Sequence, residues 1–168
     1  QNALKAGLSV SLNTPLIRLN SNYDNTLKLI SSLGVKYATC SGLIPAGAAP
    51  QRIKSGEALT NEELLKVMQS AVETAKALRL DLTFTSPGWL SSEQLQELGL
   101  TEPICGACLS NMAIMPNGAV TACQSWLQDP QGLGNMLTTK WKDIWNNPQC
   151  MRMRRASPSG CPLKELQS

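Results

Sequence analysis

Hydrophobic and polar positions alternate with two different periods along the first part of the chain. Residues 7–13 show the two-residue period of a strand, and residues 35–40 and 80–85 read as two further strands. Residues 22–33 and 60–79 carry apolar side chains at helical spacing, which predicts two amphipathic helices. The order strand, helix, strand, helix, strand predicts a parallel sheet with helices on one or both of its faces.

Capping and turn residues set the expected limits of these elements. Thr60 and Glu63 have the spacing of a capping box, which predicts the start of the long helix. Gly34 stands where the shorter helix should stop. Residues 41–55 are rich in proline and glycine and predict a loop, whereas residues 91–99 predict a short helix that ends at its glycine.

Three parallel strands are too few to close a barrel or to bury both faces of a sheet. Residues 2–5 also read like the end of a helix, and the chain starts with Gln1 rather than methionine. We therefore expect the chain to be part of a larger α/β protein. A complete three-stranded domain is the alternative.

Composition excludes several classes of protein and of site. With 42% hydrophobic and 16% charged residues, the chain is not a disordered tail. The net charge of +3 is too small for a nucleic-acid surface, so we expect no nucleic-acid partner. No apolar run is long enough to span a membrane and no leader peptide is visible, so we expect a cytoplasmic protein without membrane contact.

The cysteines are unevenly distributed and divide the chain near residue 103. There are six cysteines and no histidine, which excludes histidine-dependent catalytic triads and histidine-ligated metals. Five of the cysteines lie within residues 104–168. The predicted domains are therefore residues 1–103, of ordinary α/β composition, and residues 104–168, a small cysteine-rich module. No catalytic residue is predicted.

The spacing of three cysteines predicts a sulfur-ligated site. Cys105 and Cys108 are separated by two residues, and fourteen residues separate Cys108 from Cys123. The intervening Pro-Asn-Gly at 116–118 is typical of a hairpin turn, which would return Cys123 to the neighbourhood of Cys108. A fourth thiolate from the chain end, Cys161, would complete a tetrahedral site. Such a site suits Zn²⁺ or a [4Fe–4S] cluster, with disulfides as a further alternative.

The other cysteines and the basic and aromatic residues near the chain end have structural interpretations. Cys40 lies at the end of a predicted strand and is expected to be buried packing. Cys150 is expected at a core position on a second short helix, and is the alternative fourth ligand. Arg152, Arg154 and Arg155 are expected to form a solvated face. Two tryptophans are expected in the core, Trp141 and Trp145.

Residues 104–166 resemble the SPASM and twitch extensions of radical S-adenosylmethionine enzymes. The shared features are the Cys-x9-Gly-x4-Cys pattern of residues 108–123, the Gly-Asn pair at 134–135, the Ile-Trp pair at 144–145 and the Cys-Pro of 161–162. Residues 1–103 look like the last strand–helix units of the partial (β/α)6 barrel of that family.

The resemblance implies an auxiliary [4Fe–4S] cluster held by Cys105, Cys108, Cys123 and Cys161. It also implies an oxidoreductase that uses S-adenosylmethionine, acts on a peptide or small-molecule substrate and receives electrons from a donor such as ferredoxin or flavodoxin. Asn13, Ser41 and Leu43 would then line the S-adenosylmethionine or substrate side of the barrel.

The chain departs from the family pattern in two respects. It has no Cys-x3-Cys-x2-Cys triplet for the catalytic cluster, so we expect it to be inactive by itself. It also has ligands for one auxiliary cluster rather than two, as in the twitch form or a degenerate SPASM domain. If Cys161 does not ligate, the three-cysteine cluster of the molybdenum-cofactor cyclase becomes the better analogy. Without a redox role, the same cysteines would form a structural zinc module for binding a partner.

Overall fold

The computed structural model describes residues 1–126, 132–156 and 160–161. Contacts within the chain divide it into two compact units. The first, here the sheet unit, consists of Gln1–Leu43 and Gln51–Pro103. The second, here the cysteine unit, consists of Ile44–Pro50 and Ile104–Ser168.

A three-stranded parallel sheet forms the centre of the sheet unit. Its strands are β1 (Ser11–Pro15), β2 (Tyr37–Ser41) and β3 (Asp81–Phe84), in the order β1-β2-β3. Asn13 lies opposite Thr39, and Thr39 lies opposite Thr83. The predicted parallel α/β arrangement is therefore confirmed as a small sheet with helices.

The first strand begins four residues later than its polarity pattern predicts. Helix α1 (Asn2–Lys5) ends in a turn in which the amide of Gly7 donates to the carbonyl of Leu4. Gly7 has a φ of 75°, in the left-handed region that glycine adopts readily. Because the residues after α1 close this helix end, the strand starts only at Ser11.

Two helices supply most of the remaining core of the sheet unit. Helix α2 spans Tyr23–Ser32 and buries Leu27 and Ile30. A longer helix over Asn61–Leu78, α4 in chain order, packs against α2. Its fully buried side chains lie three or four residues apart, as an amphipathic helix requires: Leu64, Met68, Ala71 and Ala75.

The predicted start of the long helix is confirmed atom by atom. The Thr60 hydroxyl accepts a hydrogen bond from the Glu63 amide at 3.2 Å, and the Thr60 amide donates to a Glu63 carboxylate oxygen at 2.8 Å. These bonds, together with Arg18, lower the pKa of Glu63. The helix ends at Leu78, and the next residue, Arg79, has a left-handed φ of 55°, as is common after the last helical turn.

The prediction of a continuous loop over 41–55 is wrong in its second half. Helix α3 occupies Ala49–Lys54. Pro50 lies in its first turn, where a missing amide hydrogen costs little because those amides have no partner within the helix. The predicted short helix after residue 91 is present as α5 (Ser92–Glu97), with the Ser91 hydroxyl accepting from the Gln94 amide.

The cysteine unit is built from a short hairpin and two short helices. Strands β4 (Ala113–Ile114) and β5 (Val120–Thr121) pair antiparallel, and helices α6 (Trp141–Trp145) and α7 (Pro148–Ala156) follow. Gly118 has the positive φ, 84°, that the predicted turn requires. The hairpin is therefore confirmed.

In the described parts of the chain, no helix combines the length and the apolar character needed to cross a membrane.

A glycine at the carboxyl end of β2 provides a test of this packing. Gly42 donates its amide to the Ser86 hydroxyl, which is buried, and a methyl group at Gly42 would overlap the Trp89 indole. We expect Gly42→Ala to lower the free energy of unfolding by about 1–3 kcal/mol, as overpacking does. Urea denaturation measures this change.

The same substitution in a Trp89→Leu background controls for effects other than the overlap. The smaller side chain leaves room for the methyl group, so the added cost of Gly42→Ala should largely disappear. An equal cost in both backgrounds would contradict this explanation.

Candidate metal centre

A tight loop holds the first two cysteines of the motif. The carbonyl of Gly106 accepts amide hydrogen bonds from Leu109, Ser110 and Asn111, all at 2.9–3.0 Å. A side chain at Gly106 would collide with the side chains of Ser110 and Asn111, so the loop requires glycine there. Within this loop Cys108 has a φ of 56°, in the left-handed region that non-glycine residues seldom adopt.

The hairpin places the third cysteine beside this loop. The Cys108 amide donates to the carbonyl of Asn111 at 3.0 Å and also to that of Ala122 at 3.1 Å. Ala122 immediately precedes Cys123, whose carbonyl accepts hydrogen bonds from the Thr121 hydroxyl and the Trp126 amide, each at 3.1 Å. The return of Cys123 to the loop of Cys108, predicted from the spacing, therefore has a direct backbone link.

The Gly-Asn pair of the sequence pattern supports the hairpin from its other side. The carbonyl of Gly134 accepts from the Val120 amide at 2.9 Å, and the Asn135 side-chain amide donates to the carbonyl of Asn117 at 2.9 Å. These bonds fix both β5 and the turn. The pair is thus explained by the structure of the hairpin.

Several thiols share one buried cluster in the cysteine unit. Cys108 and Cys150 are fully buried, Cys105 is 8% exposed, and Cys123 packs against them from a half-buried position. Cys150 and Cys123 are near enough to Cys108 to raise the pKa of its thiol, and Cys105 likewise raises the pKa of Cys123. The remaining members of the cluster are apolar: Ala107, Val120, Ala122, Leu133 and Ile144.

Burial determines the protonation of these thiols in the absence of a metal. Desolvation raises the pKa of Cys108, and its contact with Cys150 raises it further, while Arg154 acts in the opposite direction. Desolvation likewise raises the pKa of Cys123. Both groups are therefore neutral thiols at pH 7, and a metal would have to displace their protons.

The donor set has the chemistry that an iron–sulfur cluster needs. Four thiols lie in or against one apolar cluster, which is the soft donor set of such sites. Across the described ranges, no three thiol or carboxylate side chains already stand together as a metal site. The residues therefore fit an iron–sulfur cluster in the type of their donor atoms and in lying in or against the same buried cluster. Within those ranges no two cysteines are joined in a disulfide.

The chain end carries the predicted fourth ligand. Cys161 is half-buried. The rest of its motif, from residue 162 onward, lies outside the described residues, as do residues 157–159. Cys150 takes the core position on α7 that the sequence predicted, and its thiol accepts a hydrogen bond from the Arg154 guanidinium at 3.3 Å.

Two expectations about the residues around this cluster are wrong. Arg152 and Arg155 are exposed as predicted, but Arg154 is partly buried and stacks on the indole of Trp145 with 3.8 Å to the ring centroid. Trp141 is 47% exposed rather than in the core, since it rests against Trp145 on one side only, with ring centroids 5.8 Å apart. Arg154 lies one helical turn after Cys150, and that spacing could have indicated its role.

The predicted residues of the S-adenosylmethionine side lie at the sheet. Asn13 is exposed on β1 and accepts a hydrogen bond from the Thr39 hydroxyl at 3.0 Å. Ser41 is buried at the carboxyl end of β2, and its carbonyl accepts from the Leu16 amide. Leu43 follows two residues later and is half-buried. Gly42 lies between Ser41 and Leu43, and its amide donates to the Ser86 hydroxyl. The sequence did not indicate this role of Ser86.

Cys40 has the packing role that its sequence position predicted. Its side chain is fully buried, and its sulfur lies 3.5 Å from the Met68 sulfur and 3.9 Å from the carbonyl oxygen of Thr83. Burial raises its pKa to about 12. This thiol therefore stays protonated and inert at neutral pH.

A comparison with protein families matches part of the cysteine unit. Residues 105–163 match the model of the SPASM family, described as an iron-sulfur cluster-binding domain. Neither a curated protein nor a solved structure matches the chain. The match confirms the predicted resemblance for this part of the chain: residues 105–163 are similar to the SPASM iron–sulfur cluster-binding domain, which is typical of radical S-adenosylmethionine enzymes.

Proposed function

We propose that the cysteine unit holds one auxiliary [4Fe–4S] cluster through Cys105, Cys108 and Cys123, with Cys161 as the fourth ligand. The observation that carries the proposal is the shared burial of the motif's thiols within the matched SPASM domain. The hydrogen-bonded loop and hairpin support it, because they bring Cys123 next to Cys108 before any metal arrives.

The protein's contribution to this site is positioning and exclusion of water. The Gly106 carbonyl and the Ala122 carbonyl hold the backbone of the loop, so that binding has only the thiol side chains left to arrange. The apolar residues around them keep the site dry, and both effects influence a redox potential. A bound cluster supplies one-electron transfer.

The sheet unit supports a wider proposal about the enzyme. We propose that its three parallel strands are the last strand–helix units of the partial barrel of a radical S-adenosylmethionine oxidoreductase. Ligand sites of such sheets lie beyond the carboxyl ends of the strands, where Ser41 and Leu43 stand, with Asn13 on the neighbouring strand. The substrate would be a peptide or small molecule, and a ferredoxin or flavodoxin would donate electrons.

This chain contributes the auxiliary site and not the catalytic one in that proposal. It contains no Cys-x3-Cys-x2-Cys triplet, which the catalytic cluster of the family needs. The activity would therefore belong to a longer protein that includes these residues. The second candidate is a structural zinc module, which the same thiols would suit because zinc also prefers thiolate ligands.

Single cysteine substitutions test the proposed ligands. After anaerobic reconstitution with iron and sulfide, the unaltered protein should carry about four irons per chain and absorb broadly in the visible region. Cys105→Ser, Cys108→Ser and Cys123→Ser should each lose at least about half of the iron, because each removes a thiolate ligand. Iron analysis and absorption spectroscopy measure the result.

Cys40→Ser is the matched control for these variants. Cys40 is as buried as Cys108 but belongs to the sheet unit, so its replacement should leave the iron content unchanged. The proposal is wrong if the anaerobically purified protein holds zinc in the same thiols and takes up no iron. Equal iron loss in all four variants would indicate general unfolding rather than loss of ligands.

Two further variants identify the fourth ligand. Cys150 already has a structural partner in Arg154, so we expect Cys150→Ser to keep its iron and Cys161→Ser to lose part of it. The opposite result assigns the position to Cys150, whose thiol contacts that of Cys108. Full iron in both variants indicates a three-thiolate cluster with one open iron. Iron content and the electron paramagnetic resonance spectrum of the reduced protein separate these cases.

A further inference from the structure

The guanidinium of Arg154 joins helix α7 to the loop of Cys108. Its Nε donates to the carbonyl oxygen of Cys108 at 2.8 Å. One Nη donates to the carbonyl of Trp145 at 3.0 Å and to the sulfur of Cys150 at 3.3 Å. The plane of the group stacks on the Trp145 ring at 3.8 Å. One side chain thus contacts two cysteines and the end of α6.

The contact with Arg154 holds the carbonyl group of Cys108, for which the backbone hydrogen bonds described above provide no partner. The amide of Cys108 is already held by the carbonyls of Asn111 and Ala122. Arg154 binds the carbonyl on the other side of the same residue. Cys108 adopts a left-handed conformation that costs free energy for a residue with a side chain, so bonds on both sides are needed to keep it there.

The charge of Arg154 has no carboxylate to balance it in the described parts of the chain. The ion pairs found there join Arg18 with Glu63 and Arg52 with Glu57. Arg154 instead contacts two carbonyls, an indole and a thiol while it is partly removed from water. A partly buried cation is stabilised best by a nearby anion, and the anions that this cluster can provide are thiolates.

We propose that Arg154 is a positioning residue of the cysteine site, which clamps the Cys108 loop to α7 and supplies the positive charge that balances thiolate ligands. The clamp is a property of the protein without metal. The charge-balancing role rests on the proposed function. Arg155, the next residue on the same helix, is exposed and makes a matched control for the loss of one positive charge.

The first experiment tests the clamp in metal-free, reduced protein of the full chain. Iodoacetamide labelling followed by mass spectrometry gives the modification rate of each cysteine. Arg154→Gln should speed the labelling of Cys108 and Cys150 by about tenfold, because loss of a charge-assisted bond favours local opening. Arg154→Lys should also speed it, since a point charge does not reproduce the fork of hydrogen bonds. Arg155→Gln should not change the rate.

The second experiment tests the charge in reconstituted protein. At the potential where the unaltered protein is half reduced, Arg154→Gln should lower the ratio of reduced to oxidised cluster by about threefold or more, because a nearby cation favours the added electron. In Arg154→Lys, which keeps the positive charge, the ratio of reduced to oxidised cluster should fall only slightly. In Arg155→Gln the ratio should be close to that of the unaltered protein. A redox titration followed by electron paramagnetic resonance measures the ratio.

The outcomes distinguish the clamp, the charge and the proposed function. Labelling rates in Arg154→Gln equal to those in Arg155→Gln overturn the clamp. An unchanged redox ratio in Arg154→Gln, or an equal change in Arg155→Gln, overturns the charge-balancing role. If the unaltered protein takes up no iron, the proposed function fails, and the charge-balancing role fails with it. The labelling experiment still decides the clamp in that case. Circular dichroism of each variant identifies loss of folding, and Arg154→Lys then serves as the milder test.

Discussion

The backbone of Cys108 is the point on which the cysteine unit depends. Its amide reaches two carbonyls, that of Asn111 within its own loop and that of Ala122 at the end of the hairpin. The second bond joins the hairpin directly to the Cys-x-x-Cys loop, in addition to the packing of both in one buried cluster. Because this bond holds Ala122 next to Cys108, it also brings Cys123 close to Cys108, although fourteen residues separate the two cysteines in the sequence. The left-handed φ of Cys108 is the conformational cost of this arrangement.

The small size of the unit explains why its polar contacts matter so much. Its strands are two residues long and its helices have five and nine residues, so little apolar surface is available for a core. Cysteines make up three of the eight buried members of its core cluster. A bound metal contributes folding free energy directly in such modules, typically about 10 kcal/mol or more for structural zinc. Under the proposed function, cluster binding would therefore stabilise the folded unit.

Local signals predicted much of the fold, whereas tertiary contacts decided the rest. The capping box of Thr60 and the hairpin glycine Gly118 were predictable, because each acts through residues a few positions away. Helix α3 was missed, because it begins within a proline- and glycine-rich stretch, and such a composition indicates a loop. Arg154 was missed for a similar reason: its neighbours along the sequence are exposed arginines, and its role comes from a carbonyl 46 positions away.

Cys40 and Cys108 show why burial alone does not identify a ligand. Both side chains are fully buried and burial raises the pKa of both thiols. The Cys40 thiol donates to a thioether and is also within hydrogen-bond distance of a backbone carbonyl, and such partners stabilise the neutral thiol. Around Cys108 there are the thiols of Cys150 and Cys123, which raise its pKa, and the guanidinium of Arg154, which lowers it. The two buried thiols thus differ in their neighbours, and of these two only Cys108 shares a buried cluster with other cysteines, as the proposed ligand set requires.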